Sequence, residues 1–319
     1  MAFSGHQEAW REWRGALSGS RMHHAWLLAG KRGVGKIDFA IAAARELVAE
    51  PGLPQPTEHP DIILLTHLPA NAEEEKKKAE GKPWQPRRNI SVEQIREVQH
   101  RLITRPTLGS KRAIIVFPAD DLEKGAANAL LKSLEEPPQG TFFLLVAHRP
   151  GRLLPTIRSR CRVLRFGEAL PTEIDAVIQN EMPGTDPHAR FFAIDVSGGS
   201  PKVAVEFIEQ DLARLYDLML RILRERDDGF ELRGALADAI GQRPTRERQA
   251  AAIELARTAL TREMRRVERG RIPAVVGAYG ELNRLAAQAP TYNFDPGLLV
   301  MEIGGLLASA APLREPADG

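Results

Sequence analysis

Residues 25–44 of the chain read AWLLAGKRGVGKIDFAIAAA, and this stretch decides the fold of the first half of the protein. The apolar run 25–29 has the length and composition of a strand that is buried on both faces. The glycine-rich segment 30–37 follows it and leads into a helical pattern. Its spacing matches G-x-x-x-x-G-K-S/T at every defined position except the last. Such a loop predicts a phosphate site, because its N–H groups and the helix dipole both face the anion.

In that site, Gly30, Gly33 and Gly35 would let the backbone wrap the anion, and Lys36 would lie between the terminal phosphates. The alternative is an ordinary glycine turn without a ligand. Position 37 is Ile, which cannot coordinate Mg²⁺ as the usual Ser or Thr hydroxyl does. The loop therefore lacks one of the two groups that hold the metal for hydrolysis.

The carboxylate that should orient the metal and the attacking water is also misplaced. The apolar run 113–117 leads into Pro118, so Asp120 and Asp121 come two or three residues late. We interpret both as turn and helix-capping residues. We expect ATP or ADP to be bound without hydrolysis, or not bound at all, and no cofactor to be required.

Alternation of strand and helix patterns predicts an α/β fold with a largely parallel sheet in the first half. The predicted strands are residues 25–29, 62–65, 113–117, 142–146 and, as an edge or late strand, 161–166. Helical periodicity follows, with Thr172 as a plausible N-cap, a glycine-rich break at 197–201, and then four or five helices that predict a bundle. We expect three domains: an α/β domain at 1–166, a small helical domain at 167–205 and an all-α domain at 206–319.

Composition excludes several classes of protein. Hydrophobic residues make up 43% and charged residues 27% of the chain, as in soluble globular proteins. The 44 Lys and Arg against 42 Asp and Glu give a net charge of +2, too small to demand a nucleic acid partner. The one cysteine, Cys161, excludes a disulfide framework and is interpreted as a small buried residue. Without a signal or membrane segment, we expect a cytoplasmic protein.

Two charged segments remain. Residues 70–89 carry runs of Glu, Lys and Arg that predict a solvated, mobile insertion. The basic segment 262–271 is interpreted as a solvated helix, with a subunit contact or DNA phosphates as alternatives.

Residues 126–138 read AANALLKSLEEPP and residues 154–161 read LPTIRSRC, with His24-Ala25 ahead of the glycine-rich loop. In this order they resemble the clamp-loader branch of the AAA+ family, among the subunits of bacterial DNA polymerase III. The resemblance covers about residues 1–205 by motif and the helical remainder by domain order. It implies an AAA+-like P-loop module, a helical lid domain and a C-terminal helical collar that joins subunits.

The resemblance also implies that Arg160 is an arginine finger inserted into the ATP site of the adjacent subunit. A guanidinium suits that role because it is always charged and grips two phosphate oxygens. By residue chemistry alone it could be a surface charge, with Arg158 and Arg162 as nearby competitors. The implied partners are the gamma/tau ATPase subunit, the delta subunit, the sliding clamp indirectly, and primer-template DNA.

Departures from the ATP-hydrolysing relatives agree with one another. The sensor-1 position falls at Ala147-His148 and the sensor-2 position at Lys202, where the family usually has Thr and Arg. No cysteines precede His59-Pro60-Asp61, so no zinc module is expected there, and no metal elsewhere. We expect a structural stator without independent ATPase or polymerase activity. The alternatives are an autonomous P-loop ATPase or kinase and a DNA-binding module.

Overall fold

The computed structural model describes residues 6–19, 22–82, 84–289 and 294–312. The chain divides into two compact units, residues 1–173 with 199–201 and residues 174–198 with 202–319. The first unit thus reaches seven residues beyond the predicted boundary at 166. The separation of lid from collar stays a prediction.

The first unit is built on a five-stranded parallel sheet, which confirms the predicted α/β fold. Its strands are β1 (Ala25–Ala29), β2 (Ile62–Leu65), β3 (Arg112–Val116), β4 (Thr141–Ala147) and β5 (Arg162–Arg165), in the order β2-β3-β4-β1-β5. All four strand pairs are parallel. The late strand β5 lies at the edge, beside β1, as its alternating pattern predicts.

Among the described residues, one helix precedes the first strand, five helices connect the strands, and a seventh leads out of the unit. They are α1 (Gln7–Leu17), α2 (Lys36–Val48), α3 (Ala72–Ala79), α4 (Val92–Leu102), α5 (Lys124–Glu135), α6 (Pro155–Arg158) and α7 (Pro171–Glu181). Helix α7 begins at Pro171, and its first turn is closed by the Glu173 carboxylate, which accepts the N–H of Leu170 (2.8 Å). The predicted N-cap at Thr172 is therefore wrong.

Successive residues of each strand supply two separate cores, as expected for side chains that alternate across a sheet. Leu27 belongs to the core under α4 and α5, with Ile95 and Leu134. Trp26 and the neighbouring Leu28 belong to the core under α1 and α2. Burial on both faces explains why β1, β3 and β4 read as continuous apolar runs.

The charged insertion contains helix α3 and is mostly exposed, which confirms that it is solvated, whereas its mobility stays a prediction. Asn71 caps α3 by accepting the N–H of Glu74 through its side chain (3.0 Å). The buried Glu74 carboxylate in turn accepts the N–H of Gln85 (2.6 Å) and the ammonium of Lys77 (2.8 Å). These bonds close the insertion on itself.

The second unit contains helices only, among the residues that are described. After α7 come α8 (Pro187–Val196) and α9 (Pro201–Glu209), followed by α10 (Ala213–Glu225), α11 (Glu231–Ile240), α12 (Arg246–Glu263), α13 (Ile272–Gln288) and α14 (Pro296–Ala310). The last five confirm the predicted count of four or five helices. The sequence predicts a frayed tail at 312–319, and all of it except residue 312 lies outside the described residues.

Arg248 ties three parts of the second unit together. Its guanidinium donates to the carbonyls of Ala239 (3.1 Å) and Ile240 (3.2 Å) at the end of α11, and to those of Gln210 and Asp211 after α9. The unpaired carbonyls at helix ends need such donors. Within the described ranges, no helix combines the length and apolar character needed to cross a membrane.

Candidate functional site

The glycine-rich loop follows the carboxyl end of β1 and ends where α2 begins. Gly33 and Gly35 have φ angles of 80° and 82°, in the left-handed region that glycine adopts without strain. Lys36, the first residue of α2, is 3% exposed. Its ammonium donates to the carbonyl of Gly30 (2.7 Å) and to that of Lys31, so it lies inside the loop.

Burial lowers the pKa of Lys36 to about 8, and the carboxylate of Asp120 partly opposes that shift. A buried ammonium gains from any anion brought close to it. The loop can therefore accept a phosphate electrostatically, although no residue in it supplies a metal ligand.

Gly30 has a packing reason as well as a possible ligand reason. A Cβ built on Gly30 would lie 2.4 Å from the carbonyl oxygen of Phe166, which follows β5. The first glycine of the motif is thus required by the close approach of the neighbouring strand's end. The ordinary-turn interpretation remains open, and nucleotide binding stays a prediction.

Ile37 is half-buried and packs on the core beneath α1 and α2. Its side chain therefore belongs to the hydrophobic core rather than to the loop. The late carboxylates are also committed elsewhere. Asp120, whose side chain is 2% exposed, accepts the N–H groups of His148 (2.8 Å) and Arg149 (3.1 Å) and holds the end of β4, whereas Asp121 lies 3.3 Å from His67. They are turn residues, as predicted, but they bridge strand ends rather than cap a helix.

His148 occupies the sensor-1 position at the end of β4. Its main-chain N–H is paired with Asp120, but its ring Nδ1 is buried without a hydrogen-bond partner and the ring packs edge-on against Phe117 (5.6 Å). Burial and the positive charge of Lys36 lower the pKa of this imidazole. The sequence favours a strand-end histidine that is satisfied by the backbone over a phosphate ligand, but the buried Nδ1 has no such hydrogen bond.

Arg160 lies near the amino ends of the strands, whereas the glycine-rich loop follows their carboxyl ends. It follows α6 and precedes the amino end of β5, and its guanidinium is 35% exposed. One guanidinium nitrogen, Nη2, lies 2.6 Å from the Glu135 carboxylate, and the other, Nη1, donates to the carbonyl of Thr156 (3.0 Å). The sequence did not reveal Glu135 as a partner, although it belongs to the same motif that carries the family resemblance.

The strand register gives the separation between Arg160 and the loop. Arg162 in β5 is aligned with Trp26 in β1, four residues before Gly30. At about 3.3 Å per residue, the start of β5 is about 13 Å from the loop along the strand direction, and Arg160 precedes that point. Arg160 therefore cannot reach its own phosphate loop.

Arg162 and the other basic residues singled out from the sequence make contacts of their own. Arg162 binds the Glu12 carboxylate (2.8 Å) and lies over the Trp26 ring. The segment 262–271 is not one helix, because α12 ends at Glu263; Arg262 pairs with Asp195 inside the second unit. Lys202 is 71% exposed and lies 3.8 Å from Glu206, one turn further along its own helix.

Cys161 is buried in the core under α5, and burial raises the pKa of its thiol to about 12. The interpretation as a small buried residue is confirmed. In the part of the chain that is described, no group of three His, Cys, Asp or Glu side chains is placed to hold a metal ion.

Comparison with known proteins identifies the family. The sequence profile described as DNA polymerase III, delta subunit, matches residues 5–169, just over half of the chain. The chain belongs to this family. The DNA polymerase III subunit delta' of Pseudomonas aeruginosa is 29% identical over 230 residues, 66% of this chain and 65% of that protein. The subunit delta' of Escherichia coli K12 is 30% identical over 204 residues, 60% and 56% of the two chains.

These relatives confirm the resemblance to subunits of DNA polymerase III. The chain spans less than two thirds of their length. A crystal structure of a DNA polymerase III gamma subunit-related protein from Thermotoga maritima has a TM-score of 0.55 at 17% identity, covering 95% of this chain and 99% of that one. At that identity the likeness supports the fold alone: an α/β module followed by helices.

Proposed function

We propose that this chain is a clamp-loader subunit of bacterial DNA polymerase III that does not hydrolyse ATP itself. It supplies Arg160 to the ATP site of an adjacent loader ATPase and thereby supports the loading of a sliding clamp onto primed DNA. The implied neighbours are the gamma/tau and delta subunits, with the clamp and primer-template DNA reached through the assembly. Membership of the DNA polymerase III family and the motif around Arg160 support this proposal.

The observation that carries the proposal is that Lys36 and Arg160 lie at opposite ends of the parallel strands of one sheet. An arginine that cannot reach its own loop can act only on the phosphates of another subunit. A guanidinium inserted in trans stabilises the charge that develops on the transferred phosphoryl group. Such a finger acts only when the interface closes, so it couples ATP turnover to the geometry of the assembly.

The absence of self-hydrolysis follows from the contacts around the loop. Ile37 packs into the core in place of a metal-binding hydroxyl, and Asp120 is used by two main-chain N–H groups. Phosphoryl transfer depends mostly on electrostatic stabilisation by such groups and the metal that they hold. We therefore expect the purified chain to turn over ATP no faster than its Lys36→Ala variant.

The test measures ATP turnover by the loader ATPase alone, with this chain, and with its Arg160→Ala variant. We expect wild type to stimulate ATP turnover. By analogy with other arginine fingers, the stimulation by Arg160→Ala should be at least about tenfold lower. Arg158→Ala, two residues away, is the matched control and should stimulate normally. Fast turnover by the isolated chain would favour an autonomous ATPase, and full stimulation by Arg160→Ala would refute the trans role.

A further inference from the structure

The guanidinium of Arg160 is already occupied within its own subunit. Its Nη2 is 2.6 Å from the Glu135 carboxylate, and Nη1 donates to the Thr156 carbonyl at 3.0 Å. Glu135 is the last residue of α5, and Thr156 lies in the short helix α6. The carboxyl end of a helix attracts a cation, which adds to the pull of the carboxylate.

The carboxylate is held in place by the fold. The carbonyl of Leu134, next to Glu135, accepts a hydrogen bond from the ring Nε2 of His24 (2.9 Å), the residue that precedes β1. The end of α5 is therefore fixed near the amino ends of the strands. Arg160 also lies there, just before β5 begins. Glu135 thus faces Arg160 because the two elements pack together.

An arginine paired with a carboxylate has almost no net charge when viewed from a neighbouring subunit. If Glu135 stayed bound while the finger entered an ATP site, its negative charge would be carried towards the phosphates and would oppose the approach. Phosphate carries more charge than a carboxylate and can be gripped through two oxygens by one guanidinium. Exchange of Glu135 for phosphate is therefore favourable only when phosphates are close.

We propose that Glu135 is an internal counter-ion of Arg160 which holds the finger in its own subunit and yields it to a neighbour's phosphates. This inference rests on the proposed trans role of Arg160. Glu135 is a positioning residue, since it acts through Arg160 and touches no substrate. The side chains are 35% and 49% exposed, and exposed pairs shift an equilibrium by about 1.5- to 5-fold.

The test is stimulation of the loader ATPase by the full chain at concentrations well below saturation. We expect Glu135→Gln, which keeps the shape of the side chain and removes its charge, to raise stimulation by about 1.5- to 5-fold at low salt. The gain should disappear near 1 M salt, where the screening length falls to about 3 Å. Glu136→Gln is the matched control, because Glu136 makes no ion pair within the described residues.

A second measurement does not depend on the ATPase. A dicarbonyl reagent that modifies free guanidinium groups should react faster with Arg160 in Glu135→Gln than in wild type, as followed by peptide mass spectrometry. Unchanged reactivity of Arg160 in Glu135→Gln would overturn the counter-ion role, and so would stimulation that stays the same or falls. The trans role would still stand as long as Arg160→Ala loses stimulation. If Arg160→Ala stimulates fully, both proposals fail. The double variant should behave like Arg160→Ala alone.

Discussion

Replacement of Asp61 by Ala should strongly destabilise the first unit. The Asp61 carboxylate is 0% exposed and accepts the N–H groups of Thr107 (2.7 Å) and Leu108 (2.8 Å), and the guanidinium of Arg112 lies 3.4 Å away. Removing one partner of a buried ion pair costs about 3–5 kcal/mol. Each buried N–H left unpaired would add about 1–3 kcal/mol, less whatever relaxation of the loop and entering water recover. We expect a loss of about 4 kcal/mol, which lowers Tm by about 8–16 °C at about 2–4 °C per kcal/mol.

The assay is urea unfolding followed by circular dichroism at pH 7 and again at pH 3. Burial raises the pKa of Asp61, but the bonds from Leu108 and Thr107 and the charge of Arg112 outweigh it, so the folded-state pKa lies below its usual value of 3.8. The stability that Asp61 contributes is therefore present above about pH 4 and is lost as the pH falls through the folded-state pKa. The gap between wild type and Asp61→Ala should narrow at pH 3.

The exposed Glu97 on α4 provides the control, since Glu97→Ala should change stability by less than about 0.5 kcal/mol. A loss below about 1 kcal/mol for Asp61→Ala at pH 7, or a gap that does not narrow in acid, would refute the reasoning.

Three further outcomes follow from single contacts. Arg248→Met should destabilise the second unit by about 2–3 kcal/mol in thermal unfolding, because its guanidinium pairs four main-chain carbonyls; the exposed Arg246→Met is the control, and equal losses would contradict this. Gly30→Ala should cost about 1–3 kcal/mol because its Cβ would meet a carbonyl oxygen at 2.4 Å, whereas Gly151→Ala meets nothing within 4 Å and should be nearly neutral in the same measurement. Lys36 has a folded-state pKa of about 8 against 10.5 when unfolded, so the unfolded chain binds the extra proton between these values and stability gains with rising pH. Lys36→Met should remove that gain, and an unchanged pH slope in urea unfolding would contradict the buried-ammonium assignment.

The sequence predicts the sheet well because the inner strands are covered on both faces. A fully covered strand must be apolar at every position, so runs such as Ala25–Ala29 stand out without any tertiary information. The insertion at 70–89 could not be predicted in the same way. Its fold depends on one buried carboxylate, Glu74, bonded to the N–H of Gln85 eleven residues later. Composition records that carboxylate only as one more surface charge.

The candidate site divides along the same line. Gly33, Gly35 and Lys36 are visible from spacing, because a phosphate loop is a local structure. The pairing of Glu135 with Arg160 is not visible, since it joins residues 25 positions apart through the packing of α5 on α6. A charged residue inside a motif gives no sign of which neighbour will neutralise it.

Under the proposed function, the placement of Lys36 and Arg160 has a consequence for assembly. Lys36 lies at the carboxyl ends of the strands and Arg160 lies beyond their amino ends. If both residues bind phosphates, one subunit therefore presents them to different neighbours. Contacts in which one surface meets a different surface of the next subunit are heterologous and build rings or open arcs rather than closed pairs. In such an array the finger and the loop of one subunit are independent. Loss of metal ligands at Ile37 would then silence one interface while the Arg160 interface continues to work, and a chain that cannot hydrolyse ATP would still control when its neighbour does.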